Sequence, residues 1–173
     1  ELQKAAALDP GNFDAVGKLG ELYLLAGKTR EAGQIADNLV AARPEDPKGY
    51  LLKSGLSLRE GRPDDAVAQL KKAVSLDPKG AKPMLVLGTI HLLKRDVKSA
   101  REWFDKALAA DPNLPEVHVT RGNFFFATGD RDEGEKEYRK AIEIGKDKET
   151  LRIVLAEHYL YQGRNDDAVK ELD

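Results

Sequence analysis

The chain has 173 residues, 28 of them Lys or Arg and 30 Asp or Glu, for a net charge of −2. That balance gives no general attraction to nucleic acid or anionic lipid, and the lack of cysteine excludes disulfides, thiolate metal sites and a cysteine nucleophile. No run of about 18 apolar residues occurs, so no direct membrane insertion is expected.

Residues 1–12 read as the end of a helix running into a turn cluster, Asp9-Pro10-Gly11-Asn12. From Phe13 the chain repeats itself every 34 residues. By the phase of that repeat Glu1 falls in mid-helix, so the natural start is expected upstream. The segment Gly61–Pro78, GRPDDAVAQLKKAVSLDP, returns as Gly27–Pro44, Arg95–Pro112 and Gly129–Lys146, and the chain ends inside another copy. At the other end, Leu2, Ala5, Leu8, Asp9 and Pro10 match the tail of the same segment. A fixed period of this size marks a solenoid array whose core is a seam shared between units. The complete units are 13–46, 47–80, 81–114 and 115–148, with partial units at 1–12 and 149–173.

Each unit carries two helical patterns. Val16, Leu19, Gly20 and Tyr23 follow the i, i+3, i+4, i+7 spacing of one helix face. Gly27, Gly61, Gly129 and Gly163 then break the helix, with Arg95 the exception at the same place, because glycine takes the left-handed conformation of a helix end. The second helix begins just after, with Pro63 fitting a first turn. Asp64-Asp65, Asp132-Glu133 and Asp166-Asp167 suit the positive end of the helix dipole. Ala32, Ala66, Ala100, Gly134 and Ala168 form a uniformly small column where helices can approach closely. Leu70, Phe104, Tyr138 and Leu172 supply bulk, and Ala73, Ala107 and Ala141 a second tight contact. Pro44, Pro78 and Pro112 terminate the second helices, since a residue before proline leaves the α region.

These columns, together with small Gly20, Gly88 and Gly122 and aromatic Tyr23, Phe125 and Tyr159, resemble the tetratricopeptide repeat over the whole chain. The resemblance implies an all-α, right-handed superhelical solenoid of antiparallel helix pairs, four complete and partial ones at both ends. The first helix of each pair would line a concave face. Several residues depart from the pattern. Lys53 and Arg121 stand in the column of Leu19, Leu87 and Leu155, and their stems are expected to pack while the charges reach water. Ser57 and His91 replace the aromatic of the Tyr23 column, leaving the middle units less filled. Gly145-Lys146-Asp147 replaces the closing Asp-Pro, so a looser turn is expected there, with a change of pitch.

Sequences that suggest catalysis or metal binding do not hold up. Gly27-Lys28-Thr29 lacks the glycine a phosphate loop needs where Leu22 stands, and no strand precedes it. Asp130 to Gly134 lacks the third ligand and closing glutamate of a calcium loop. His91, His118 and His158 lie in three units without metal-site spacing and are expected to be structural. No catalytic residue, cofactor or metal site is expected.

In the family, a second stripe on the first helices faces the groove. Here its columns are Asp14, Lys48, Lys82, Glu116, Thr150; then Gly17, Leu51, Leu85, Val119, Ile153; then Glu21, Gly55, Thr89, Asn123, Glu157; then Leu24, Leu58, Leu92, Phe126, Leu160. Two columns are nearly all apolar. Contacts between neighbouring pairs consume part of such a wide stripe, and the remainder is expected to receive a partner's side chains. Thr89 and Asn123 are candidates to hydrogen-bond an extended segment. The middle units are net basic and the outer ones net acidic. Lys48, Lys82 and Arg59 are candidates to bring positive charge into the groove for an acidic group or a carboxyl terminus. Chaperone-binding members of the family hold a terminal carboxylate with lysines and asparagines. The corresponding positions here are Gly17, Glu21, Leu52, Lys82 and Val86, and only Lys82 matches.

The expected function is a non-enzymatic scaffold for a peptide or protein segment. Two alternatives are self-association through exposed repeat ends and an array that recruits substrates for a catalytic domain elsewhere. Nucleic acid is not an expected partner, since the groove lacks a continuous basic lining. The Asp-Pro-rich, alanine-rich style resembles bacterial arrays, cytoplasmic or periplasmic, with any targeting signal outside this segment.

Overall fold

The computed structural model describes residues 12–173, so the helix end expected before Asn12 lies outside the described residues. Ten helices and no strand occur among them: α1 Phe13–Leu25, α2 Thr29–Ala42, α3 Pro47–Arg59, α4 Pro63–Leu76, α5 Ala81–Leu93, α6 Val97–Ala110, α7 Pro115–Thr128, α8 Arg131–Ile144, α9 Lys148–Tyr161 and α10 Asn165–Leu172. The chain forms two compact units, one up to Ile90 and one from His91.

Local chemistry sets the helix boundaries. Side chains of Asn12, Asp46, Asp96, Asp130 and Asp147 accept hydrogen bonds from first-turn amides that have no partner within the helix. Pro47, Pro63 and Pro115 open helices where a missing N–H costs little. At the other end of each first helix, one residue turns left-handed: Gly27, Gly61, Gly129 and Gly163 at φ 72–89°, and Arg95 at 60°. The turn is closed each time by the same bond, from Lys28 N to Tyr23 O at 2.8 Å through Arg164 N to Tyr159 O at 2.9 Å. The residues before Pro44, Pro78 and Pro112 leave the α region, as expected, and end α2, α4 and α6.

In the first unit, Ala32, Ala36, Leu39, Leu52 and Leu56 form the core, with Phe13, Val16, Tyr23, Leu24 and Ile35 packed against it. A Cβ at Gly20 would stand 2.4 Å from Leu52 Cδ2, so this contact needs glycine. Beside Ser57 a cleft of about 320 Å³ opens, in line with the missing aromatic. In the second unit, Tyr138, Leu155, Ala156, Tyr159 and Ala168 form the core. The small column is sealed in both: Ala32, Ala66 and Ala100 are 0% exposed and Ala168 2%.

Three expectations need correction. Lys53 does reach outward, to Asp37 at 2.8 Å, but Arg121 is buried. Its Nε donates to Glu137 Oε1 at 2.8 Å, and a terminal nitrogen pairs with Asp105. Glu137 also meets His118 Nδ1 at 2.6 Å, and His118 Nε2 lies 2.9 Å from the Pro112 carbonyl. The guanidinium is held because α6 and α8 each bring it a carboxylate. The turn at Gly145 is tight, not loose: a Cβ there would stand 2.6 Å from Leu151 Cδ1 and 2.7 Å from Ala141 O. Leu172, expected to supply bulk, is 56% exposed.

The turns and Arg121 each yield a prediction. Nothing lies within 4 Å of a Cβ added to Gly129, so Gly129→Ala should cost about 1–2 kcal/mol through backbone strain alone. Arg95→Gly should gain up to about 1 kcal/mol, strain relief being partly offset by glycine's freedom in the unfolded chain. Urea midpoints moving in the same direction would refute the shared strain. Arg121→Ala leaves the half-buried Glu137 with His118 alone beside it and should cost about 3 kcal/mol. Arg121→Leu with Glu137→Gln should recover more than half of that loss in the same measurement.

Candidate ligand groove

In the first unit, α1 and α3 lie side by side, and Asp14, Gly17, Lys18, Glu21, Lys48 and Leu52 line a cleft of about 320 Å³ between them. Lys48 Nζ is paired with Asp14, its column neighbour one repeat earlier, and lies 3.9 Å from Asp46. The hydrogen bond holds the Asp14 carboxyl below its ordinary range and the Lys48 ammonium above its own. The charge expected to face a ligand is therefore met within the chain. Arg59 is also engaged within the chain. Its guanidinium donates to the Leu24 carbonyl at 2.9 Å and satisfies the C-terminal end of α1.

Packing takes up much of the Leu51 column. Leu85 is 4% exposed and belongs to the core, Leu51 and Val119 are half-buried, and only Ile153 is open at 44%. The Leu58 column is the more accessible one, with Leu58 at 38% and Leu160 at 53% exposed and Leu24, Leu92 and Phe126 half-buried. Leu24 sits where a side chain on Gly55 would be, 2.5 Å from a Cβ built there. Lys82 is exposed and makes no ion pair among the described residues. The Thr89 hydroxyl donates back to the Leu85 carbonyl at 3.0 Å, leaving it only acceptor capacity toward a ligand.

The second unit has a better-formed site. A cleft of about 460 Å³ lies between α7 and α9, with Asn123, Phe126 and Ala127 on one wall and Glu157, His158, Tyr161 and Gln162 on the other. Arg131, at the start of α8, also lines it. Phe126 and His158 stack with ring centres 4.3 Å apart and planes 19° from parallel. Behind them the Tyr138 hydroxyl donates to Asn123 Oδ1. His158 Nε2 lies 3.2 Å from that hydroxyl and 3.3 Å from the amide oxygen. Burial, helped by the Glu157 charge, pushes the Tyr138 phenol up to about 12. Burial also pulls the His158 imidazole down, with Glu157 opposing.

Asn123, Phe126 and Glu157 are thus brought to one place. His158 and Tyr138, expected only to pack, form its back wall. Gln162 and Tyr161 escaped the column pattern because they lie at the end of α9, where the helical register gives way to the turn.

Within each unit, antiparallel helix pairs stand one after another with a cleft between successive first helices, as in a helical-repeat protein. Three family models, each described as tetratricopeptide repeat, match residues 1–56, 56–115 and 115–147, and the chain belongs to that family. Arrays of this family are protein–protein interaction modules. The chain is 28% identical over 141 residues to Superkiller protein 3 of Saccharomyces cerevisiae, covering 82% of this chain and 8% of that protein. It is 24% identical over 161 residues to Protein O-mannosyl-transferase TMTC1 of Homo sapiens, covering 89% of this chain and 18% of that protein. The crystal structure of a thermophilic tetratricopeptide protein of Thermus thermophilus superposes with a TM-score of 0.81 at 25% identity, covering 92% of this chain and 87% of that one. The chain thus spans less than a fifth of the length of these two curated relatives.

The two shifted groups predict opposite pH effects. With His158 kept neutral by folding, its contribution to stability is complete above the usual 6.5 and is lost as pH falls through the lower folded value. With Tyr138 kept protonated, its contribution is complete below the usual 10.0 and is lost as pH rises from there to about 12. NMR titration of the His158 ring and phenolate absorbance compared with Tyr138→Phe measure both. A His158 midpoint at or above 6.5 would contradict the burial argument.

Proposed function

We propose that the chain is a non-enzymatic scaffold that binds an extended peptide or protein segment along its first helices. The observation that carries this is the cleft between α7 and α9, where a pre-positioned aromatic and amide cluster is bordered by exposed Leu160 and Tyr161. Ile153, also exposed, lies on the same helix. Each apolar side chain a partner buried there would contribute about 1.5–3 kcal/mol. The imidazole of the cleft supports binding rather than catalysis, since His158 is engaged with Tyr138 and Asn123. The match to part of a transferase supports a related role, in which such an array serves an enzyme whose catalytic part lies elsewhere.

The experiment is capture of partners by the intact protein, quantified by mass spectrometry. Leu58→Ser, Ile153→Ser and Leu160→Ser together alter exposed groove positions, and Lys71→Ser with Glu102→Ser serves as a control on second helices. The groove variant should lose captured partners about tenfold, and the control should retain them. Equal recovery from both would refute groove binding.

Self-association is favoured by a separate observation: Val169 and Leu172 of α10 are 59% and 56% exposed. A molar mass that rises with concentration in light scattering, and falls when both are changed to serine, would establish it.

A further inference from the structure

We propose that the joint of α6, α7 and α8 is a proton-operated latch. Folding places a proton between His118 and Glu137, and the hold on α7 weakens as pH rises above neutral.

Both ring nitrogens of His118 face oxygen acceptors. Nδ1 lies 2.6 Å from Glu137 Oε2, and Nε2 lies 2.9 Å from the Pro112 carbonyl. A carbonyl never donates, so the hydrogen of that contact belongs to Nε2. A neutral imidazole has only the one hydrogen, and a second must lie between Nδ1 and the carboxylate. Without it two acceptors would stand face to face where water has little access, since His118 is 6% exposed. A buried acceptor left without a donor is costly. The other oxygen of the same carboxylate, Oε1, accepts from Arg121 Nε at 2.8 Å. Both oxygens thus act as acceptors, and the second hydrogen sits on the ring.

The charges around the ring come from three helices and a turn. α8 brings Glu137, and α6 brings Asp105, paired with Arg121, and Arg101, 5.2 Å from the centre of the Phe125 ring. In the turn before α7, the Asp111 carboxylate is occupied by the Asn113 amide at 3.1 Å. Arg121, on α7 itself, opposes a second cation, but two carboxylates meet its guanidinium. Arg101 is exposed, so solvent and salt screen it. With His118 charged, the two bases and two acids of the knot balance. With it neutral, one negative charge is left over beside side chains of His118, Arg121 and Glu137 that are at most 12% exposed.

The sign of the pH effect follows from the proton count. In the unfolded chain an imidazole gives up its second proton above about 6.5. The folded pair keeps it, so the folded state binds more protons there and stability falls as pH rises. This is opposite to the effect of His158, whose buried ring loses its contribution as pH falls. The latch ties the first turns of α7 to α8 and to the turn before it, and α7 is the helix that carries Asn123 and Phe126.

The test is urea unfolding of the whole chain and of His118→Gln at pH 7 and pH 8. The folding constant of the unaltered chain, divided by that of the variant, should fall about tenfold over that interval, the linkage of one proton. Other titrating groups cancel in the ratio. A second readout needs no variant: at pH 7.5 the long-range 1H–15N spectrum of the His118 ring should show a hydrogen on each nitrogen. A ratio that stays constant or rises, or a ring nitrogen without hydrogen, would overturn the latch and leave groove binding standing.

Discussion

Close approach between helix backbones is the constraint on which this structure depends. Ala32, Ala66, Ala100 and Ala168 are almost wholly sealed from solvent, with Gly134 buried in the same column. At Gly134 even one added carbon would stand 3.0 Å from the Phe126 ring. Interiors packed this densely transmit a small volume change to every neighbour. The small column therefore sets how near each second helix lies to the first helix of its pair. That spacing in turn decides how much of the first-helix surface is left over. The groove is what remains after packing has been satisfied.

The two units use this leftover surface differently. Around α1 and α3, Asp14 takes Lys48 and the Leu24 carbonyl takes Arg59. Around α7 and α9 the back wall is internally bonded, but its rim is not. Glu157 has no countercharge among the described residues. A surface whose hydrogen bonds are complete gives an incoming chain little to gain, because new bonds only replace old ones. An incomplete surface offers a net gain.

Much of this was legible in the sequence, for identifiable reasons. The period, the helix breaks and the closing prolines are backbone chemistry, and each acts within a few residues of itself. Even Arg95, the lone non-glycine at a turn, keeps the left-handed conformation because the surrounding bonds impose it. The groove was less legible, since exposure depends on what sits across from a residue. Leu51, Leu85, Val119 and Ile153 occupy equivalent positions, yet they range from core to open surface. Lys53 and Arg121 are equally matched in register, but only Arg121 meets two carboxylates, Asp105 and Glu137. Such pairings join residues far apart in sequence, and no local pattern reveals them.

The knot of His118, Arg121, Asp105 and Glu137 joins α6, α7 and α8, and its parts fit only one another. Repeats that share only alanines and leucines at their seams are interchangeable bricks, free to be duplicated or shuffled. A seam held by a buried guanidinium accepts only the neighbour that supplies the matching acids. The array is therefore modular in outline, but at this joint the order of its modules is written in.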